Sequence, residues 1–427
     1  MSQPLQDVET IQKRIAALTH QEVGLANSDE YFSLVRDDLE DVLGSRAQMK
    51  QRRQFVPYQR PDPRTVSIRV PPDGRRVIEL SRRAPVYSSN EANLVRAYAR
   101  ALQRFGDVPR EFTTTASEDV LTRAIAVRTS PNLITAKIVE TAIQTMVRHS
   151  SRTYEGVRVA INVCMDLSLT DTGISLTSFL REPWAPLLGS GLNSAILVSA
   201  DGSVLRVISL DDVHDEEALA PEPFMRVAGW TSQPARIAMS ISRSGEMYVF
   251  LGGELWLVRR NSHWRAFPLS SLLDAGWFGT SKQQIKRPVK RAVLASLIDA
   301  SAAHHGACLG IALEPTSVKA VIESQDGWTA AGNLRRGMFG TDSFLILSRR
   351  HRLELLSMDG ATVLDRYGYI LASGAILRVR GGQPGGGRSA AARTLAKYGI
   401  GIKVSQDGPI TGLVGSGSHV IQHFAMG

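Results

Sequence analysis

Three short stretches late in the chain carry residue types that could do chemistry. The first is Met358-Asp359-Gly360-Ala361, followed by the apolar run Thr362–Leu364. A carboxylate ahead of a glycine at a strand start can hold a divalent cation while the glycine lets a phosphate or ribose approach the backbone. Asp-Gly is also a common turn dipeptide, so this stretch alone leaves a plain turn open. The second is Gly385-Gly386-Gly387-Arg388-Ser389, which runs into an Ala-rich helix that stops at Gly399. Free N–H groups at a helix start suit an anion, and Arg388 adds a planar, permanently charged fork for phosphate oxygens. Ser389 either caps the helix or gives its hydroxyl to the same phosphate. Arg393 lies four residues after Ser389, on the same helix face, and either reaches that phosphate or stays solvated. A flexible glycine linker before a capped helix is the competing reading. The third stretch is Gly401–Ser405, the turn Gln406-Asp407-Gly408 and the return Pro409–Leu413, a hairpin pattern. Strand, glycine helix and hairpin together predict a small α/β nucleotide pocket. The glycine loop has neither the Gly-Lys-Ser/Thr of a P-loop nor the Rossmann fingerprint.

The elements that must position these residues are readable from periodicity. Pro288 opens an amphipathic helix, Val289–Ala302, and strands are expected at Cys308–Leu313, Val318–Ile322, Phe344–Leu347 and Tyr369–Ala372. Upstream, helices are expected in Leu5–Val23, from Ser28 to Leu43, at Asn90–Phe105 and at Leu133–Arg148. Arg158–Val163 alternates as a strand, and Ala195–Ser199 with Val204–Ile208 reads as a hairpin. Met239–Ser242, Met247–Leu251 and Leu255–Arg259 continue the pattern. The Pro- and Arg-rich segment Arg52–Gly74 reads as a linker. The expected organisation is a helical segment with its linker over 1–75, a mixed α/β sensor-like domain over 76–280, and an α/β domain with a mixed sheet over 281–427.

Composition narrows the function classes. The 427 residues suit two or three domains, and 43% hydrophobic with 21% charged residues exclude wholesale disorder. Two cysteines, Cys164 and Cys308, exclude a disulfide framework and a Cys-rich zinc module. The polar, acidic start MSQPLQDVET does not read as a signal peptide, and no apolar run is long enough to span a membrane. A cytoplasmic protein without membrane partners is expected. The net charge of +9, from 50 Lys+Arg against 41 Asp+Glu, is spread in short clusters. No helix-turn-helix, finger or RNA-binding aromatic motif accompanies it, which argues against nucleic acid as the partner. No His-Glu-x-x-His occurs.

The order of motifs from Pro288 to Leu413 resembles the diadenylate cyclase domain of the DNA-integrity-scanning (DisA-type) proteins, over about a third of the chain. Asp359-Gly360-Ala361 matches that family's Asp-Gly-Ala. Gly386-Gly387-Arg388 matches the start of its Gly-x-Arg-His-Arg, and Val404-Ser405 its Val-Ser-Glu-type strand end. Arg388 follows Asp359 by 29 residues, close to the family's separation. Ala372–Leu377 looks like the adenine-contacting strand. The resemblance implies that two ATP molecules are condensed into cyclic di-AMP with release of pyrophosphate. Asp359 would hold Mg²⁺ or Mn²⁺, and Arg388, Ser389, Gly386 and Gly387 the triphosphate. Ile376 and Leu377 would meet the adenine, with Gly360, Ala361, Arg393 and Ser405 completing the nucleotide site. A two-fold product implies a homodimer or higher homo-oligomer, with residues 76–280 as a regulatory sensor. The DNA-binding helical domain of the scanning proteins and the membrane segments of other cyclases are expected to be absent. Ser389 stands where the family has His, Ala390 where it has its second Arg, and Gln406 where many members have Glu. These departures motivate an alternative, a degenerate, non-catalytic nucleotide-binding sensor or scaffold.

Overall fold

The computed structural model describes residues 31–51, 62–69, 76–103, 114–154, 156–214, 218–277, 284–322, 337–378, 386–416 and 418–427. The helix expected over Leu5–Val23 lies outside them. Residues 31–43 form helix α1, whose last turn ends at Gly44 with φ +57°. Three antiparallel strands follow: β1 (Arg46–Gln51), β2 (Thr65–Arg69) and β3 (Arg76–Ser81), with β3 in the centre. β2 lies inside the segment expected to be a linker, so that expectation is corrected. Its Ile68 is buried, and a strand that contributes to a core is not a spacer. The prolines of the segment had masked this short alternating run.

Helices α2 (Ser89–Gln103), α3 (Thr114–Thr129) and α4 (Leu133–His149) pack side by side. The start of α2 is a reciprocal cap: Glu91 N–H donates to Ser88 Oγ at 3.1 Å, and Ser88 N–H donates to the Glu91 carboxylate at 2.9 Å. Asn132 caps α4 by accepting from Thr135 N–H. α3 had no clear sequence signature.

A seven-stranded sheet covers these helices. Its strands are β4 (Ile161–Asp166), β5 (Ser194–Ser199), β6 (Val204–Ser209), β7 (Arg236–Ile241), β8 (Met247–Leu251), β9 (Glu254–Arg260) and β10 (His263–Ala266), in the order β10-β9-β8-β7-β4-β5-β6. β4 and β5 are parallel, and the other pairs are antiparallel. The expected strand Arg158–Val163 is divided between a two-residue strand, Val157–Arg158, and β4. Alternation sorts the side chains: Ile161, Val163 and Met165 enter the core under α1–α4, whereas Cys164 enters the core on the opposite face. The sheet is therefore a middle layer with both faces covered.

The second core continues onto α5 (Arg287–Ala302), which starts at Pro288 in its first turn, and onto a six-stranded sheet. That sheet comprises β11 (Ala307–Ala312), β12 (Ala361–Asp365), β13 (Ile370–Ala375), β14 (Gly399–Val404), β15 (Ile410–Ser416) and β16 (His419–Met426), in the order β13-β12-β11-β14-β15-β16. Only β11 and β12 are parallel among these pairs. Helix α6 (Arg349–Ser357) precedes β12, and α7 (Gly386–Ala396) covers the outer face of the sheet. The chain is thus α/β with mixed sheets. The expected division near residue 280 lies outside the described residues, but the apolar core runs across it, with Trp277 against Phe424 at 5.8 Å between ring centroids.

Two expected strands are absent. Pro315–Val318 is a short helix followed by a 3₁₀ turn at Lys319–Val321, and only Ile322 bridges to Leu377. Pro315 at the helix start and the Ser317 hydroxyl on Glu314 O, 2.7 Å away, favour the local turn. Phe344–Leu347 is also a turn, with Phe344 and Leu347 buried and Leu345 and Ile346 exposed, a spacing that no strand gives. Among the described residues no helix is long and apolar enough to cross a membrane.

Candidate functional site

Strand direction brings the chemical residues together. β11 and β12 run parallel and start at one end of the sheet; β13 and β14 run the other way and finish there. Asp359-Gly360, Ala375–Leu377 and Ser405–Asp407 therefore meet at a single edge, beside the first turn of α7. There they line an open depression of about 700 Å³.

Helix α6 sets the approach to Asp359. Arg349 forms two parallel hydrogen bonds to Asp299 of α5, at 2.9 and 2.7 Å, and gives a third at 2.7 Å to Ala220 O. Thr362 Oγ1 donates to Leu355 O, so the chain turns tightly between α6 and β12. Gly360 adopts φ +99°, and a Cβ there would lie 2.5 Å from the Gly374 carbonyl carbon. Only glycine permits this approach, and it holds the exposed Asp359 carboxylate at the mouth of the depression.

The opposite wall comes from α7. Gly401 of β14 sits under the helix so closely that a Cβ would meet Ala392 O at 1.9 Å, which fixes how deep the helix lies. At its start the situation reverses: among the described residues a Cβ at Gly386 or Gly387 would meet nothing within 4 Å, which leaves the backbone there room for a ligand. Arg388 lies over Gly306, whose added Cβ would be 2.4 Å from the Arg388 guanidinium. Ile376, 56% exposed, and Leu377, 7% exposed, supply an apolar border.

The third wall is the turn Ser405–Gly408. Ser301 Oγ donates to Gly408 O at 2.7 Å, and the Arg260 guanidinium, from β9 of the middle sheet, donates to Asp407 O at 3.2 Å. Arg260 is itself ion-paired with buried Glu246. A Cβ at Gly408 would overlap the Arg260 guanidinium, so glycine is required. Hydrogen bonding from Ser405, with Lys403 and Arg260 nearby, holds the Asp407 carboxyl below the usual carboxylate range. Cys308 also borders the depression, but burial pushes its thiol up to about 12, which rules out a thiolate nucleophile at neutral pH.

Of the residues expected at a nucleotide site, Asp359, Gly360, Ile376, Leu377, Gly386, Gly387, Arg388 and Ser405 line this depression. Three do not. Ala361 is fully buried in β12 and faces the core under α7. Ser389 and Arg393 share a helix face as expected, but that face borders a separate depression. The 3.6-residue turn that unites them also carries them away from Arg388. Lys403 was not anticipated. Alternation with buried Ile400, Ile402 and Val404 marks it as outward, and it borders both depressions.

Among the described residues no three His, Cys, Asp or Glu side chains gather to hold a metal. Asp359 on its wall fits a cation that brings phosphate oxygens and waters as its other ligands, as Mg²⁺ commonly does. No protein-family model matches the chain, and no curated protein matches it.

Proposed function

We propose that the C-terminal sheet and its helices bind ATP and join two molecules of it into cyclic di-AMP. The supporting observation is the convergence of the Asp359 carboxylate, the Arg388 guanidinium, two glycines unobstructed among the described residues and an apolar border on one sheet edge. In this reading Arg388 and Lys403 take the triphosphate, with the backbone of Gly386 and Gly387. Ile376 and Leu377 border the adenine. Two lobes from separate chains face each other, so that the 3′-oxygen of one ATP bonds to the α-phosphorus of the other. The α–β phosphoanhydride breaks, pyrophosphate leaves with its electron pair, and the hydroxyl proton passes to water. The second half-reaction closes the ring. A Mg²⁺ or Mn²⁺ ion held by Asp359 and the phosphates would neutralise charge on the α-phosphate.

The second reading is a binder that does not turn ATP over. Ser389 borders the other depression and Ala390 is buried, so this helix start offers Arg388 as its only cationic side chain to the first one. Incubation of the protein with ATP and Mn²⁺ or Mg²⁺, followed by mass spectrometry, separates the two. The cyclase releases two pyrophosphates per cyclic di-AMP, and Asp359→Asn lowers that yield by about 10²–10³-fold with melting unchanged. Bound ATP without product supports the binder, and unchanged synthesis by the variant removes Asp359 from the reaction.

A further inference from the structure

Helix α7 separates two depressions, and the second is the more basic. It measures about 650 Å³ and lies between the β1–β3 sheet and the outer strands of the C-terminal sheet. Its seat is close: a Cβ at Gly44 would meet Ala425 O at 2.4 Å. Arg46, Arg83, Arg393 and Lys403 all border it, and no carboxylate does among the described residues. Arg82 borders it too, but Glu91 neutralises that guanidinium through a buried ion pair. No ion pair within 4.0 Å joins Arg46, Arg83, Arg393 or Lys403 to a carboxylate among the described residues. Burial lowers the affinity of His423 for a proton against a backbone hydrogen bond at Gly276 that raises it, and Arg83 of this cluster and Arg64 beyond it lower it further. Four cations on one concave surface repel each other, and an anion of high charge relieves that repulsion.

We infer that this cleft is a second anion site, which takes an organic polyphosphate of nucleotide size. Its volume falls in the range of small-ligand pockets, and Leu413 and Val420 give it an apolar side against which an organic group can rest. Arg46 and Arg83 approach from the N-terminal sheet, Arg393 and Lys403 from the C-terminal lobe, so charge comes from both sides of one ligand. An extended nucleic-acid strand fits less well. Strand-binding grooves stack bases on exposed aromatic rings, and the rings at this cleft among the described residues are Phe424, which is buried, and His423, which is half-buried. The site shares Lys403 with the first depression, and its other cations take no part in the proposed cyclase reaction.

Calorimetric titration of the full chain with inorganic tripolyphosphate tests the inference on an Arg388→Ala background, which weakens the first depression. Binding persists in that protein, and adding Arg46→Ala with Arg393→Ala lowers the affinity at least tenfold. Both replaced side chains are exposed, so folding is retained; thermal melting checks it, and Arg393→Glu alone gives a loss at least as large. Loss of all binding in Arg388→Ala, or an affinity indifferent to the Arg46 and Arg393 changes, overturns the second site. A single-stranded oligonucleotide that binds more tightly than tripolyphosphate, and is released by the same two changes, also overturns it in favour of a nucleic-acid path. None of these results depends on product formation, so failure here is distinguishable from failure of the cyclase reading.

Discussion

Two walls of the first depression are built in opposite ways. The turn Ser405–Gly408 is held from behind by a buried guanidinium, a serine hydroxyl and, at 3.2 Å, the His304 ring on Gln406 O. Among the described residues the start of α7 has open space around Gly386 and Gly387, and Arg388 rests over a glycine. One wall is committed to protein contacts and the other is open among the described residues. The committed wall is also the one that touches the middle sheet, through Arg260 at the end of β9.

The largest effect expected from this contrast is at the ion pair. Arg260→Ala strands the Glu246 carboxylate in a buried position, where only the Tyr248 hydroxyl at 2.6 Å and the His304 ring at 3.4 Å remain. Urea unfolding should register a loss of about 3–5 kcal/mol, the usual cost of an orphaned buried charge. Replacing both partners, Glu246→Gln with Arg260→Met, should recover most of it. A single variant that unfolds like the parent protein breaks the comparison, because the wall would then not depend on its anchor.

Gly306→Ala acts on the open wall and should leave stability within about 0.5 kcal/mol, since Gly306 does not need the left-handed region and the displaced group is a flexible exposed side chain. ATP affinity should nevertheless fall about tenfold, because Arg388 can no longer rest there and one charge-assisted contact is lost. Equal losses of stability and affinity would mean that Arg388 is structural.

Local patterns made much of this legible. Helix α4 and the β5–β6 hairpin follow directly from periodicity and turn residues, as do the glycines that flank Asp359 and Arg388. What stayed hidden is non-local. Helical spacing correctly joins Ser389 to Arg393 but does not say which depression their face borders. Lys403 is marked as outward by its neighbours, yet only strand order sets it between two sites. The contact of Arg260 with Asp407 spans 147 residues, and no local pattern announces it. The failed strands at 318–322 and 344–347 were apolar runs whose burial is decided by tertiary neighbours instead of alternation.

The smallest effect is the sharpest test of the open wall, because its two readouts move in opposite directions. Gly387 does not adopt positive φ and sits in the first turn of α7 with nothing among the described residues within 4 Å of a Cβ. Gly387→Ala should therefore stabilise the fold by about 0.4–1 kcal/mol, by restricting the unfolded chain. The same methyl would stand where a phosphate approaches the backbone, so ATP affinity should fall about threefold, a difference of about 0.65 kcal/mol. Thermal melting and calorimetry on one sample give both numbers. A variant that gains stability and keeps its affinity makes Gly387 a helix start and nothing more, and leaves Arg388 and Lys403 to hold the phosphates without the backbone.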